Sequence, residues 1–200
     1  NSFGISEAEF IRRCDVTFKQ SIKFVNWLDK NSHGEENFYH HLFDMPAAMG
    51  EALTAQWLSK KDRAYAGSIS PQHAVCEAYK APKAITDPEY SGRLGYAYHL
   101  NAAKFAELLG ENATERFGVE HIRANVKQVV LGEEGEIKSL VTDTSGTLDF
   151  DFYIDCSGFA SLLIDVSLKV PFINKAEELF VDKAVVVQVA TASDDIIPPF

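Results

Sequence analysis

Lys19 and Lys23 lie four residues apart in a segment, Thr17–Trp27, in which apolar and polar residues alternate. A period of two is typical of a β-strand, so both lysines fall on one mixed polar face. A lysine on such a face is ordinarily solvated. Facing an enclosed cavity, its ammonium could instead donate a hydrogen bond to an oxidant, or its amine could react with one. Spacing alone does not distinguish Lys19 from Lys23.

A second candidate segment, Phe38–Phe43, places two adjacent histidines among aromatic residues. We predict an extended stretch lining a pocket, in which His40 and His41 point to opposite faces, one to a substrate and one to solvent. One packed and one exposed histidine is the alternative. Phe43 could stack on a flat aromatic ligand or belong to ordinary core. Adjacent histidines chelate metal poorly in a strand, so we predict no metal site.

A third candidate is the tetrapeptide Asp155-Cys156-Ser157-Gly158, which follows the apolar residues 152–154. We predict a strand that ends at this tetrapeptide. Gly158 would then let the backbone approach a phosphate or an adenosine, because no Cβ stands in the way. A plain strand-to-helix turn is the alternative. Cys156 is predicted to be a small buried hydrophobe rather than a nucleophile.

Helices are predicted from their capping residues. Ser6 and Glu9 form a capping-box pattern that predicts a helix over 6–14. Asn101 can cap a helix that ends before Gly118. A further helix is predicted over 51–66. The stretch from 67 to 95 is predicted to be mostly loop, since it holds three prolines and little periodicity.

The second half of the chain shows a run of short strands. Turn residues separate three of them, predicted at about 122–131, 136–143 and 147–150, which indicates an antiparallel meander. A helix, a three-stranded insert and then a strand ending in glycine is the order found in FAD-binding domains of the glutathione-reductase type. We therefore predict a mixed α/β chain that forms part of such a fold, with a substrate-pocket region. The Gly-x-Gly-x-x-Gly that opens these domains is missing, and on this interpretation it lies before Asn1.

Composition excludes several classes of protein. The chain has 200 residues, 46% of them hydrophobic and 24% charged, which argues against general disorder. A net charge of −10 argues against a nucleic-acid partner. The apolar runs are too short to span a membrane, and no secretory start is visible, so we predict a cytoplasmic protein. Because Asn1 replaces an initiator Met and Phe200 ends the chain abruptly, we expect an internal piece of a longer protein.

The segment Thr17–Trp27 resembles the flavin-dependent tryptophan halogenase family, which there has Phe/Tyr-Lys, small residues and Lys-Phe-Val/Ile-Asn-Trp. Three further stretches are similar in order and spacing, namely Asn37–His40, Tyr98–Ala102 and Phe152–Leu163. The Lys-bearing and Asp-Cys-Ser-Gly segments together are specific, and the similarity covers the whole chain except the loop at about 65–95.

This resemblance implies a reaction and a set of partners. Reduced FAD (FADH2) from a separate flavin reductase, O₂, and chloride or bromide would give hypohalous acid. A lysine would direct this oxidant onto an indole or tryptophan-like ring, which is catalysis by confinement and positioning. The family's partner glutamate and its Trp-x-Trp-x-Ile-Pro segment would fall after Phe200. Family members are often homodimers.

The resemblance also assigns residues. The catalytic lysine matches Lys19 and not Lys23. The family's substrate-stacking histidine and phenylalanine match His40 or His41 and Phe43, the extra residue leaving the choice of histidine open. The flavin contacts match Val126 in the first meander strand, and Ser157 and Gly158 at the strand end.

Departures from the tryptophan-specific members concern the substrate. Asn101 stands where they have Asp, and Gln20-Ser21 where they have two small apolar residues. Free tryptophan, an indole without the amino-acid tail, or a larger aromatic all stay open. An FAD-dependent aromatic hydroxylase and an inactive flavoprotein fragment are the alternative functions, and this chain alone is expected to be inactive.

The resemblance divides the chain into three parts. Residues 1–97 would form a substrate and tunnel side with the lysine strand, and residues 98–170 part of the FAD region with the meander. Residues 171–200 would begin a substrate-side sheet.

Overall fold

The computed structural model describes residues 3–34, 37–45, 50–61, 63–187 and 196–200. The chain divides into two compact units, one of residues 1–118 with 190–200 and one of residues 119–189. None of the helices in these described ranges is long and apolar enough to cross a membrane.

The first unit is built of helices and two pairs of short strands. Its helices are α1 (Glu7–Arg13), α2 (Lys30–His33), α3 (Gly50–Lys60), α4 (Tyr65–Ile69), α5 (Gln72–Glu77) and α6 (Ala102–Phe117). Its strands are β1 (Thr17–Lys19), β2 (Ser21–Val25), β3 (Phe38–Leu42) and β4 (Ala97–His99). β1 pairs with β4 and β2 pairs with β3, both antiparallel.

The core of this unit lies between α1 and α6. Ser6 caps α1 by accepting the Glu9 N–H at 3.1 Å, and Asn101 caps α6 by accepting two backbone N–H groups. Both helices begin and end close to where the sequence predicts, because caps act locally. The core consists of buried apolar side chains from both helices and from the chain on either side of α1: Ile5, Phe10, Cys14, Val16 and Leu108.

A buried carboxylate ties α1 to the loop before β4. Glu7 is 5% exposed. It accepts hydrogen bonds from four donors, which are Lys83 Nζ (2.6 Å), Tyr98 OH (2.7 Å), Tyr96 OH (2.8 Å) and the Tyr90 N–H (2.9 Å). Burial alone raises the pKa of a carboxyl group, but these donors outweigh it and lower the pKa of Glu7 to about 2. We call these five residues the Glu7 cluster.

The predicted single strand Thr17–Trp27 is wrong in its continuity. It breaks at Gln20, so β1 and β2 pair with different partners. The Gln20 N–H donates to Pro199 O at 2.8 Å, and Gln20 O accepts the Phe43 N–H at 3.0 Å. Its backbone is therefore paired on both sides while its side chain is completely buried. The alternation of apolar and polar residues predicts an extended chain, but it does not show which strands pair. It therefore could not reveal that the pairing changes from β4 to β3 at Gln20.

The two faces of β2 also differ from the predicted ones. Ser21, on the predicted polar face, is completely buried, whereas Ile22 is 39% exposed. The reason is that α4 and α5 pack on β3, and polar groups of this face bond to one another there. The extended stretch predicted at Phe38–Phe43 is present as β3, with its register Lys23↔His40 and Ile22↔His41.

The predicted helix over 51–66 ends earlier, and the predicted loop holds two short helices. α3 ends at Lys60 because Lys61 has a φ of 49° and its N–H closes on Trp57 O at 2.7 Å. α4 and α5 then follow within the stretch predicted as loop. They are five and six residues long, too short to give a helical period in the sequence.

The second unit contains the predicted meander. Its strands are β5 (Val126–Leu131), β6 (Ile137–Thr142) and β7 (Thr147–Leu148), all antiparallel. A 3₁₀ turn (Gly158–Ala160) and a π-helical turn (Leu162–Ser167) follow later in the chain.

The prediction of a strand over 152–154 is wrong, because these residues form no strand in the structure. The segment pairs with no strand among the described residues, and Phe152 and Ile154 are 79% and 74% exposed. Cys156, predicted to be buried, is exposed for the same reason. Residues 171–187 contain no strand, so the described part of 171–200 shows no start of a sheet.

The two units also differ from the predicted division at 97 and 170. α6 belongs with the first unit because Leu108 completes the core formed by α1. Residues 171–187 belong with the second unit. The roles assigned to the three predicted parts stay predictions.

Candidate active site

Lys19 ends β1 with its side chain half-buried and without a charged partner among the described residues. Its backbone pairs with Ala97 of β4. Its Nζ lies 5.6 Å from the centre of the Phe43 ring. On the paired strand, the pKa of His99 is lowered, first by burial of its imidazole ring and then by the positive charge of Lys19. Lys19 therefore presents an ammonium beside an aromatic face, a setting that suits a reactive or hydrogen-bonding amine.

Lys23, the other candidate lysine of the Thr17–Trp27 segment, has a carboxylate partner. Its Nζ lies 2.8 Å from Glu77 Oε1. It also lies 3.9 Å from the centre of the Phe38 ring and 4.8 Å from that of Phe200. These contacts fix Lys23 in an ion pair against two rings, so the two lysines differ in environment although their spacing made them equivalent.

His40 is buried at the centre of a hydrogen-bonded chain. Its Nδ1 lies 2.7 Å from Ser21 Oγ and its Nε2 lies 2.8 Å from Glu77 Oε1. Since a carboxylate only accepts, Nε2 donates to Glu77 and the Ser21 hydroxyl donates to Nδ1. Burial lowers the pKa of His40, although Glu77 opposes this shift, so the ring is neutral near neutral pH. Ser21, His40, Glu77 and Lys23 are called the His40 chain below.

His41 lies on the opposite face of β3 and is exposed. Phe43 follows two residues later, and its N–H still bonds to Gln20 O. Phe43 lies in a bend just after β3. Its ring faces Lys19, whereas His40 is held in the buried chain with Ser21 and Glu77.

Gln20, one of the departures from the family pattern, is completely buried beside Lys19. Its Nε2 donates to Lys80 O at 2.7 Å, and its Oε1 has no hydrogen-bond partner in the part of the chain described. The other departure, Asn101, has a structural role. Its Oδ1 accepts the N–H groups of Ala103 and Lys104 as the cap of α6, a task that Asp performs equally well.

The second unit holds the residues assigned to the flavin. Asp155 organises the turn that carries Gly158 by accepting the Ser157 hydroxyl at 2.6 Å and the N–H groups of Ser157, Leu163 and Ile164 at 2.8–3.0 Å. These hydrogen bonds, that of the Ser157 hydroxyl first, lower the pKa of Asp155.

Gly158 fits the close approach of a ligand to the backbone. It has a φ of 64°, which favours glycine, and nothing lies within 4 Å of where a Cβ would be. Val126 begins β5 opposite Thr142 and is half-buried. Lys19, His41 and Phe43 belong to the first unit, and Val126, Ser157 and Gly158 belong to the second.

Several residues of the site could not be found from the sequence. Glu77 and Gln72 lie in the stretch predicted as loop, where no periodicity pointed to them. Ser21 stood beside the lysines, but only the register with β3 brings it to His40. Gly95 lies in the same stretch as Glu77 and Gln72, and it is a point of close backbone approach.

Comparisons with known proteins identify the family. The tryptophan halogenase family profile matches residues 1–200. The chain is 33% identical to tryptophan 7-halogenase RebH of Lentzea aerocolonigenes, over 96% of this chain and 38% of that protein. The structure superposes on a tryptophan halogenase of Shewanella frigidimarina NCIMB 400 with a TM-score of 0.82 at 37% identity, over 88% of this chain and 34% of that one.

A third similarity names the cofactor class. Tar14, a tryptophan C-6 flavin-dependent halogenase from taromycin biosynthesis, matches with a TM-score of 0.77 at 27% identity, over 86% of this chain and 35% of its own. The chain is thus a mixed α/β part of the fold of flavin-dependent halogenases, and it belongs to the tryptophan halogenase family. It spans little more than a third of the length of these relatives.

Proposed function

We propose that the protein is a halogenase that uses FADH2, O₂ and chloride or bromide to halogenate an indole or tryptophan-like ring. The supporting observation is the difference between its two candidate lysines. Lys19 is half-buried beside Phe43 and has no charged partner in the described ranges, whereas Lys23 is paired with Glu77. An amine that must hold or accept an electrophile cannot also be held in an ion pair, so Lys19 is the proposed catalytic residue.

Lys19 can act in two ways. Reduced FAD, when bound, supplies the chemistry by which O₂ and halide become hypohalous acid. The Lys19 ammonium can donate a hydrogen bond to this acid and hold it. Alternatively, the neutral amine takes the halogen, so that an N–halogen bond forms, the O–halogen bond breaks, and hydroxide leaves with an amine proton as water. Either route confines the oxidant to one place beside the ring.

His41 and Phe43 are the proposed substrate wall. His41 is exposed on the face of β3 opposite to His40, and Phe43 lies beside Lys19. A flat aromatic substrate stacked there would present one ring edge to Lys19. His41 rather than His40 is proposed for this role because His40 is buried and both of its ring nitrogens bond to Ser21 and Glu77.

Val126, Ser157 and Gly158 are the proposed flavin contacts of the second unit. The support is the open, left-handed backbone at Gly158 and the way Asp155 fixes the turn around it. A separate flavin reductase, which the resemblance to flavin-dependent halogenases implies, is the proposed supplier of FADH2.

The test is a halide-dependent mass shift. The intact protein would be incubated with FAD, a flavin reductase with its reductant, bromide, and either tryptophan or indole. We expect a product with the isotope doublet of one bromine, absent when bromide is left out. A hydroxylated product that forms without halide would instead support the aromatic hydroxylase. An unmodified substrate, with flavin oxidised normally, would contradict both functions.

A further inference from the structure

One buried amide side chain joins the segment that carries Phe43 to the segment that precedes β4. Gln72, the first residue of α5, is completely buried. Its Oε1 accepts the Asp44 N–H at 2.7 Å, and its Nε2 donates to Gly95 O at 2.6 Å. The side chain thus bonds to both segments as a strand between them would, and neither polar atom of its amide is left unpaired.

The two segments approach each other as closely as backbones allow. A Cβ on Gly95 would lie 2.8 Å from Phe43 O and 3.3 Å from Asp44 Cα. These are backbone atoms, which cannot rotate away, so only glycine permits this approach. The Gly95 N–H also points to Asp44 Oδ1, at 3.4 Å.

Ser70 completes the arrangement. Its hydroxyl donates to Asp44 Oδ2 at 3.1 Å and accepts the Gln72 N–H at 3.1 Å. Gln72, Asp44, Gly95 and Ser70 form what we call the Gln72 clamp. All of its members lie in the first unit, and none belongs to the residues assigned to the halogenation chemistry.

The clamp acts on the two residues that matter for the proposed reaction. Asp44 directly follows Phe43, and Gly95 lies two residues before Ala97, the strand partner of Lys19. Phe43 and Lys19 therefore belong to segments that the Gln72 amide holds together. Lys19 Nζ and the centre of the Phe43 ring lie 5.6 Å apart in this arrangement.

We propose that Gln72 is a positioning residue that sets the place of the Phe43 wall relative to Lys19, and so decides which ring carbon receives the halogen. This inference rests on the proposed function. Shifts of about 1 Å at supporting residues change rates by roughly a hundredfold when reacting groups must be aligned. Losing one clamp bond should move Phe43 without touching Lys19.

The test compares Gln72→Met with Gln56→Met in the intact protein. Methionine keeps the length of glutamine but removes both hydrogen bonds, and Gln56 is an exposed glutamine on α3. Two ratios are measured with indole or tryptophan and bromide, namely halogenated product per FADH2 oxidised and the proportions of the ring isomers. For Gln72→Met we expect about a tenfold lower product yield per flavin and a changed isomer ratio. For Gln56→Met we expect neither change.

Each outcome decides the proposal. A lower yield with wild-type isomer proportions shows that Gln72 only stabilises the fold, and it overturns the inference, as does a variant with wild-type yield and isomers. If Gln72→Met does not fold, Ser70→Ala carries the same comparison, since it removes two weaker bonds of the same clamp. A wild type that gives no brominated product overturns the proposed function and this inference together. A wild type that brominates beside unaffected variants overturns the inference alone.

Discussion

Two polar regions of the first unit solve opposite problems. In the Glu7 cluster a buried carboxylate receives four donors, one of them an ammonium, and no charge is left unmatched. In the other region, the Lys19 ammonium lies by an aromatic ring without a charged partner in the described ranges, next to the buried Gln20 Oε1, which has no hydrogen-bond partner there. A matched cluster contributes stability, whereas an unmatched group is tolerated where chemistry requires it. The comparison therefore separates residues that hold the fold from residues that act.

The comparison predicts its largest effect at Lys19. Lys19→Met should lower halogenation by about a thousandfold, because the only amine proposed to hold the oxidant is removed. The thermal midpoint should change little, since no ion pair is lost. Product formation by mass spectrometry and a melting curve on the same sample measure both. Lys23→Met is the matched control, expected to retain most of the activity and to melt earlier because Glu77 loses its lysine.

Glu7→Gln should show the reverse pattern, a loss of stability with little change in chemistry per folded molecule. The Glu7 pKa of about 2, against an ordinary 4.5, corresponds to about 3 kcal/mol of stability above pH 4.5. Because the folded-state pKa is lowered, this contribution is lost as the pH falls from 4.5 towards 2. Urea unfolding of wild type and variant at pH 7 and at pH 3 measures it. An equal difference at both pH values would contradict the assignment to the Glu7 charge.

The histidines should divide in the same way. His41→Ala should raise KM for the aromatic substrate several-fold and leave the melting temperature unchanged, because an exposed ring contributes little to folding. His40→Ala should lower the free energy of unfolding by about 2 kcal/mol, since Ser21 and Glu77 lose a buried partner. Steady-state kinetics and melting curves distinguish them. If only His40→Ala raised KM, the substrate would contact His40 and the opposite face of β3, and the assignment of His41 would be wrong.

The sequence allows prediction of the helix caps, the meander and the lysine segment, because these depend on residues near one another in the chain. Ser6, Asn101 and Gly118 bound their helices as expected. The break at Gln20 and the burial of Ser21 depend on distant partners, Pro199 and α5, which no local period reveals. The choice between His40 and His41 also depends on a residue that is distant in the sequence. Their spacing shows that they point apart, but only the position of Glu77 shows which of them is buried.

The smallest effect is expected at Glu77. Its environment is intermediate between the fully matched Glu7 cluster and the unmatched surroundings of Lys19. Its carboxylate binds both Lys23 and His40 but is itself 35% exposed, so solvent screens part of the interaction. Burial would raise its pKa, yet the hydrogen bonds from Lys23 and His40 lower it. Glu77→Gln should therefore cost about 1 kcal/mol at neutral pH.

The pH dependence of that loss identifies its source. A carboxyl group with a lowered pKa stabilises the fold above its ordinary value of 4.5, and the contribution fades as the pH falls through the lowered value. The pKa of His40 is also lowered, so the wild type itself loses stability as the pH falls below 6.5 and protonation begins to favour the unfolded chain. Unfolding midpoints of wild type and Glu77→Gln between pH 7 and pH 3 test both effects. If the variant halogenated normally while melting earlier, the His40 chain would belong with the Glu7 cluster as a support of the fold. If halogenation fell while the unfolding midpoint stayed unchanged, Glu77 would belong with Lys19 among the residues that act in the reaction.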